Sequence, residues 1–283
     1  MSSSLELVCS SQRDKSFWIS TFASFGSSFL LLSFLMTMMY FSLWRNKAAE
    51  YTFLSNISHL SFIIALFMKS IGSCAAGIIL RYDNIKWVVI RPILVDVPQA
   101  ALVVSYSIVF LTWCIASCRQ LTLPVGKQIT RISGGALIAS LVFFLANSIF
   151  DCLYFSLEKE QIHQLNVWIS FARDEIIGIA FLVILSLVRK FRNVSIKGNN
   201  NTEKSANIQS IVVLASLLVR GITILVENFV FSPKYAKSET TPCGIPSLAF
   251  YIGQQLVCEV LPAFSLISLQ GSLSKILSYE TLE

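Results

Sequence analysis

Long apolar stretches recur along this chain and leave only short polar segments between them. A helix that crosses a bilayer needs about 20 predominantly apolar residues. Stretches of this kind predict seven spans, at residues 17–43, 52–80, 92–117, 132–157, 165–188, 208–231 and 246–270. A chain of 283 residues has little room for a soluble domain beside them. The sequence therefore predicts one all-α domain over residues 1–283, a polytopic membrane protein built as a seven-transmembrane-helix bundle.

The composition agrees with a membrane protein and indicates how it is oriented. Hydrophobic residues make up 54% of the chain and charged residues 13%, whereas soluble domains carry about 25% charged residues. Most of the net charge of +6 lies in loops, where Lys and Arg orient membrane proteins, so we expect no nucleic-acid partner. Lys and Arg are modestly enriched in alternate loops and the tail. This bias predicts a lumenal or outer N-terminus and a cytosolic C-terminus.

The chain lacks the residue patterns of membrane enzymes. It has two histidines, and its seven cysteines form no Cys-x-x-Cys pair or other metal-ligand spacing. We find no Ser–His–acid set and no phosphate-binding loop, so we expect neither enzymatic activity nor a metal or cofactor. On the predicted topology Cys9 and Cys243 both lie on the outer side. A disulfide between them stays open, since spacing alone does not show proximity.

Ionisable residues inside the apolar spans are the strongest indication of a functional site. Glu259 lies near the middle of the last span, and Pro262, three residues later, weakens the helix there. An unpaired charge at that depth costs at least about 2.5 kcal/mol, so such a residue is a functional candidate. Asp174 is one of the ionisable residues of the fifth span. The candidates for a buried polar or ligand cavity are Lys69, Asp96, Tyr106, Asp151, Arg173, Glu175, Arg220, Glu227 and Glu259.

Two of these candidates are expected to pair. With a rise of 1.5 Å per residue, Arg220 and Glu259 lie roughly 18 Å and 17 Å from the inner ends of their spans. Spans that follow one another usually pack side by side, so the sequence predicts an ion pair between them. Other interpretations stay open: Glu259 is a protonated structural residue, or several acids, including Asp151, lie at the interface and reach water.

A second proline, Pro98, follows Asp96 near the start of the third span. A proline in the first turn of a helix removes no hydrogen bond that the helix would have made. We therefore expect Pro98 to shape the entry of the span without a severe kink. Asp96 is expected either to cap free backbone N–H groups or to line the entrance of the bundle.

Several of these residues belong to motifs that resemble the plant tobamovirus multiplication protein family. Span three contains Leu94-Val95-Asp96-Val97-Pro98, followed by Ser105-Tyr106 and Trp113, and the loop after it reads Arg119-Gln120-Leu121-Thr122-Leu123-Pro124. The last two spans contain Leu218-Val219-Arg220, Tyr251 and Val257-Cys258-Glu259-Val260-Leu261-Pro262. Lys69 stands where the family would have Arg, and the acid that usually follows the Trp is missing.

The resemblance implies a fold distantly similar to G-protein-coupled receptors (GPCR-like), in vacuolar, lysosomal or other endomembranes. It also implies a receptor-like protein that anchors cytosolic partners, a small GTPase among them, through its basic loops. The signature motifs of rhodopsin-type receptors are absent. The alternative is an ion- or solute-coupled transporter that uses Glu259, Arg220 and Asp96. Carriers commonly show inverted repeats, and we find none. The sequence does not identify a small-molecule ligand.

Overall fold

The described part of the chain is entirely helical. A computed structural model describes residues 12–45, 53–81, 92–118, 123–157, 160–195, 200–226 and 245–279. The α-helices in these ranges are α1 Gln12–Arg45, α2 Phe53–Leu80, α3 Val97–Cys118, α4 Leu123–Leu157, α5 Glu160–Ser195, α6 Asn200–Val226, α7 Ile245–Gln255 and α8 Leu261–Tyr279. Two π-helical turns complete the set: Pro92–Asp96 leads into α3, and Leu256–Val260 joins α7 to α8.

The helices form a closed bundle in which neighbours in sequence are neighbours in space. Each helix from α1 to α5 packs against the next, and α6 packs against α8. Contacts of α1 with α7 and α8 close the ring. In addition to its neighbours α2 and α4, α3 contacts α5 and α8. This position makes α3 the helix around which the others are arranged.

The outer surface is apolar enough for a bilayer. Within the described ranges, six helical stretches are long and apolar enough to cross a membrane, with candidate spans Ser16–Ser42, Ser55–Leu80, Ile93–Trp113, Gly126–Leu157, Ile208–Val226 and Leu248–Gln270. Large apolar side chains such as Leu31, Ile78 and Ile138 are exposed on this surface, as expected for side chains that face lipid. A multi-pass helical membrane protein is therefore confirmed. The predicted fifth span is absent from this set because Arg173, Asp174 and Glu175 make the middle of α5 more charged than the other spans, although the helix itself is continuous.

Aromatic contacts hold the bundle together at several depths. The rings of Phe110 on α3 and Phe181 on α5 stack with their centroids 4.1 Å apart. On the other side of the bundle, Tyr251 of α7 packs against Trp18 and Phe22 of α1, each at 5.3 Å between centroids. Such offset or tilted ring pairs add to the stabilisation from burial alone. These contacts explain how α7 closes the ring onto α1.

Both π turns stop two residues before a proline. The first ends at Asp96, ahead of Pro98, and the second ends at Val260, ahead of Pro262. A proline ring in a regular helix collides with the carbonyl four residues earlier, and a wider turn relieves that collision. In the second turn, the N–H of Leu261 donates to the carbonyl of Leu256, five residues back. The prolines thus determine where the two helical rods are interrupted.

Glycines allow some of the helices to approach each other closely. A Cβ atom at Gly72 of α2 would collide with the carbonyl oxygen of Leu94 and lie 3.1 Å from Cγ of Pro98. Pro98 has no N–H to donate to that carbonyl, so the α2 backbone packs directly beside it. Small residues at interfaces are the usual means of close helix packing in membranes.

We predict that Gly72→Ala lowers the melting temperature of the purified protein, because the added methyl group must push α2 away from α3. The matched control is Gly135→Ala on α4, where an added Cβ has no neighbour within 4 Å. Alanine is the better helix former by about 0.8–1 kcal/mol, so the control should be neutral or slightly stabilising. Equal melting temperatures for the two variants would contradict the close packing of α2 on the first π turn.

Candidate functional site

The first component of the site is a buried ion pair between α2 and the second π turn. Nζ of Lys69 lies 2.8 Å from Oε2 of Glu259, and both side chains are 0% exposed. Glu259 is brought inward by the π turn, and Nε2 of Gln255 donates to its Oε1 at 3.2 Å. A charge pair that water cannot reach must compensate its own lost hydration through contacts of this kind.

The second component is a carboxylate shared by two arginines. Oδ1 of Asp174 lies 2.7 Å from Nε of Arg173, its neighbour on α5. Oδ2 of the same Asp174 lies 3.0 Å from Nε of Arg220 on α6. Both ends of the Asp174–Arg220 pair are 0% exposed. Asp174 therefore ties α5 to α6 in the interior of the bundle.

A network of uncharged polar side chains extends from Arg173 into the space between α4 and α5. Nη1 of Arg173 donates to Oδ1 of Asn147 at 3.1 Å. Nδ2 of Asn147 donates to Oδ1 of Asn166 and to Oγ of Ser170, each at 2.7 Å. Asn166 in turn donates to the carboxylate of Asp151. The chain of contacts runs from Asp151 on α4 through α5 to Arg220 on α6.

The central helix α3 contributes Tyr106 to the same region. Its hydroxyl group donates to the backbone carbonyl of Glu259 at 3.3 Å, and its ring packs edge-on against Phe62 of α2. Tyr106 is buried, and its hydroxyl lies within electrostatic reach of Arg220. One side chain of α3 thus contacts the interrupted helix and lies beside the charges of its neighbours.

The predicted partnership of Arg220 and Glu259 is wrong in its contacts, although both residues lie in the same cluster. The closest ion pair of Arg220 is with Asp174, and that of Glu259 is with Lys69. Arg220 and Glu259 are near enough for their charges to attract one another, so their similar depth was inferred correctly. Depth follows from position along a helix, whereas the partner depends on how each helix is rotated about its axis.

The remaining predicted residues have different surroundings. Asp151 is 1% exposed, so it does not lie at the membrane interface, one of the positions that the sequence left open. Asp96 is half-buried at the end of the first π turn, within electrostatic reach of Lys69 and Asp151. Glu175 is half-buried with its carboxylate against Gly221 of α6. Glu227, Cys9 and Cys243 lie outside the described residues.

Sequence reasoning missed Asn166, Ser170 and Gln255, which hydrogen-bond the charged groups directly or through one neighbour. A periodic signal was available for the first two. Asn166, Ser170, Arg173 and Asp174 recur at helical spacing, and this periodicity places them on one face of α5. Uncharged polar residues are common in apolar spans, so only that shared face distinguishes these. Gln255 gives a local signal of the same kind, because it precedes Glu259 by four residues, the spacing at which side chains of one helix meet.

Comparisons with known protein families, with curated proteins and with solved structures find no match to this chain. The description of the site above therefore rests on its geometry alone.

In the described part of the chain, no group of three or more His, Cys, Asp or Glu side chains is arranged to hold a metal ion. The site consists of fixed charges and hydrogen-bond donors inside the bundle.

We predict that Lys69 and Glu259 are strongly coupled energetically. Removing one partner leaves the other charge buried and unpaired, which typically costs about 3–5 kcal/mol. Lys69→Met and Glu259→Gln should each lower the melting temperature and the expression level. The double variant should recover much of the loss, because it removes both charges together.

The control cycle pairs Lys69→Met with Asp174→Asn. Asp174 belongs to the neighbouring ion group and makes no direct contact with Lys69. The losses in this second cycle should be close to additive. Additive losses in the first cycle would contradict the pairing of Lys69 with Glu259.

Proposed function

We propose that this protein is a seven-span, GPCR-like membrane protein. In this proposal α5 crosses the membrane in addition to the six candidate spans. Two of the three charged residues in the middle of α5 compensate each other inside the bundle. Arg173 and Asp174 are buried and paired, and Glu175 rests against α6. The opposite face of α5 exposes large apolar side chains, which suit contact with lipid: Trp168, Ile176, Ile179, Leu182 and Val183.

The observation that carries the functional proposal is the buried charge cluster that connects four parts of the bundle. Lys69 on α2, Asp174 on α5, Arg220 on α6 and Glu259 in the second π turn are all 0% exposed. Fixed charges in the interior of a helical bundle are expensive and usually mark a site. Such a cluster supports a receptor-like role, in which the interior binds a ligand and the helices transmit its presence.

On this proposal the protein anchors cytosolic partners at an endomembrane. The support comes from the resemblance in spans three, six and seven. It also comes from the basic residues at the junction of α5 and α6, which are Lys190 and Arg192 in the last turns of α5 and Lys197 after it. The partner class is a cytosolic protein, with a small GTPase as the specific candidate. The membrane is of the vacuolar or lysosomal type, the N-terminus is lumenal and the C-terminus is cytosolic.

We predict that the two termini lie on opposite sides of the membrane, because an odd number of spans separates them. The measurement is a glycosylation tag fused to either end in cells, together with protease protection of sealed vesicles. The N-terminal tag should be glycosylated and the C-terminal tag should remain cytosolic. Two tags on the same side would mean that α5 does not cross the membrane.

We predict that a biotin ligase fused to the C-terminus labels a defined set of cytosolic proteins, including a small GTPase. The matched control neutralises the basic residues at this junction through Lys190→Gln, Arg192→Gln and Lys197→Gln. This control should lose those partners while it is still expressed and folded. Identical labelling for the two proteins would argue against recruitment through these basic residues.

A second candidate function, an ion-coupled carrier, is favoured by one observation. Glu259 lies in an interrupted helix, can take up a proton, and contacts a lysine from another helix. Interrupted helices with charged groups are typical of transporter sites. Proton-driven uptake into proteoliposomes that Glu259→Gln abolishes would support the carrier over the anchor.

A further inference from the structure

The guanidinium group of Arg220 is only partly used by the protein. Its Nε faces Asp174, whereas neither Nη1 nor Nη2 has a hydrogen-bond partner. The side chain is 0% exposed, so bulk water does not reach these two nitrogens. A buried polar group without a partner costs about 1–3 kcal/mol, and more when it is charged. Arginine also retains its charge under such conditions, because its guanidinium group is not deprotonated in proteins.

The charges around Arg220 favour a negative group at its open end. Arg220 and Arg173 both contact the carboxylate of Asp174. Glu259 lies near Arg220, but Lys69 already compensates it at 2.8 Å. Asp151 attracts Arg173 electrostatically and is also linked to it through Asn166 and Asn147. None of these carboxylates accepts a hydrogen bond from Nη1 or Nη2 of Arg220.

We propose that Nη1 and Nη2 of Arg220 bind the carboxylate group of a ligand. The two nitrogens form a planar fork that matches the two oxygens of a carboxylate. A monovalent anion also suits this site better than a phosphate dianion, which would add a second negative charge close to Asp174 and Glu259. The hydroxyl of Tyr106 lies within electrostatic reach of the same guanidinium, but it donates its proton to the backbone carbonyl of Glu259, so Arg220 supplies the donors for the ligand.

The carboxylate has two possible sources, a short organic acid from the aqueous phase or a fatty acid from the membrane. Both present the same group to Arg220, and they differ in how they reach it. The inference rests on the receptor-like function proposed above. The two proposals are tested separately, because ligand binding is measured on the purified protein in the absence of any partner.

The experiment measures thermal stabilisation of the full chain in nanodiscs. Sodium acetate is titrated against sodium chloride at constant ionic strength, and a second series adds oleate to the nanodisc lipid. A ligand that binds only the folded state raises the melting temperature along a saturable curve.

Arg220→Lys keeps the charge beside Asp174 but removes the planar fork of two nitrogens, so its Kd for the carboxylate should be at least tenfold higher. Arg131→Lys, an exposed position on α4, should behave as the unchanged protein.

Each outcome decides the proposal. Saturable stabilisation by acetate or by oleate that Arg220→Lys weakens supports it and identifies the source. No stabilisation by either ligand, or equal stabilisation of Arg220→Lys, overturns it. Should Arg220→Lys fail to fold, solid-state NMR of the unchanged protein gives a second test, with ¹³C-labelled acetate or oleate and ¹⁵N-labelled arginine. Magnetisation transfer between carboxylate carbon and a guanidinium nitrogen supports the site, and its absence contradicts it.

Discussion

The pairing of charges inside a bundle with an apolar exterior is the constraint on which this structure depends. Lys69, Asp174, Arg220 and Glu259 are fully buried, and each lies against a residue of opposite charge. A lone charge in such surroundings would oppose folding and insertion by several kcal/mol. These pairs therefore restrict how α2, α5, α6 and the second π turn can be rotated and spaced. Apolar packing, which tolerates small rotations of a helix, restricts them much less.

The two π turns that interrupt the helices also affect how charges are placed inside the bundle. In each case a proline follows the π turn by two residues, and the turn carries an acid, Asp96 in the first and Glu259 in the second. A π turn widens the helix and changes the direction in which its side chains point. In the second turn it accompanies the contact of Glu259 with Lys69, and the backbone carbonyl of Glu259 also accepts the hydroxyl of Tyr106. Chain geometry and charge placement are coupled at this point.

The sequence was sufficient to predict the helical membrane architecture, because span length and polarity are properties of the chain itself. It also predicted that Arg220 and Glu259 lie at similar depth, since depth scales with residue number along a helix. It failed on their partners, because Lys69 and Asp174 lie on helices whose rotation is decided by packing over the whole bundle. The polar links through Asn147 and Asn166 were missed for the same reason.

The most direct test of the central claim is to exchange the charges of one pair. Lys69→Glu and Glu259→Lys are each made alone and then together, and folded protein is measured by size-exclusion profile and melting temperature. The account predicts that each single reversal abolishes the folded protein, since it places two like charges in contact. The exchanged pair should restore a folded, monodisperse protein. An exchange no better than either single reversal would contradict the claim that this ion pair organises the bundle.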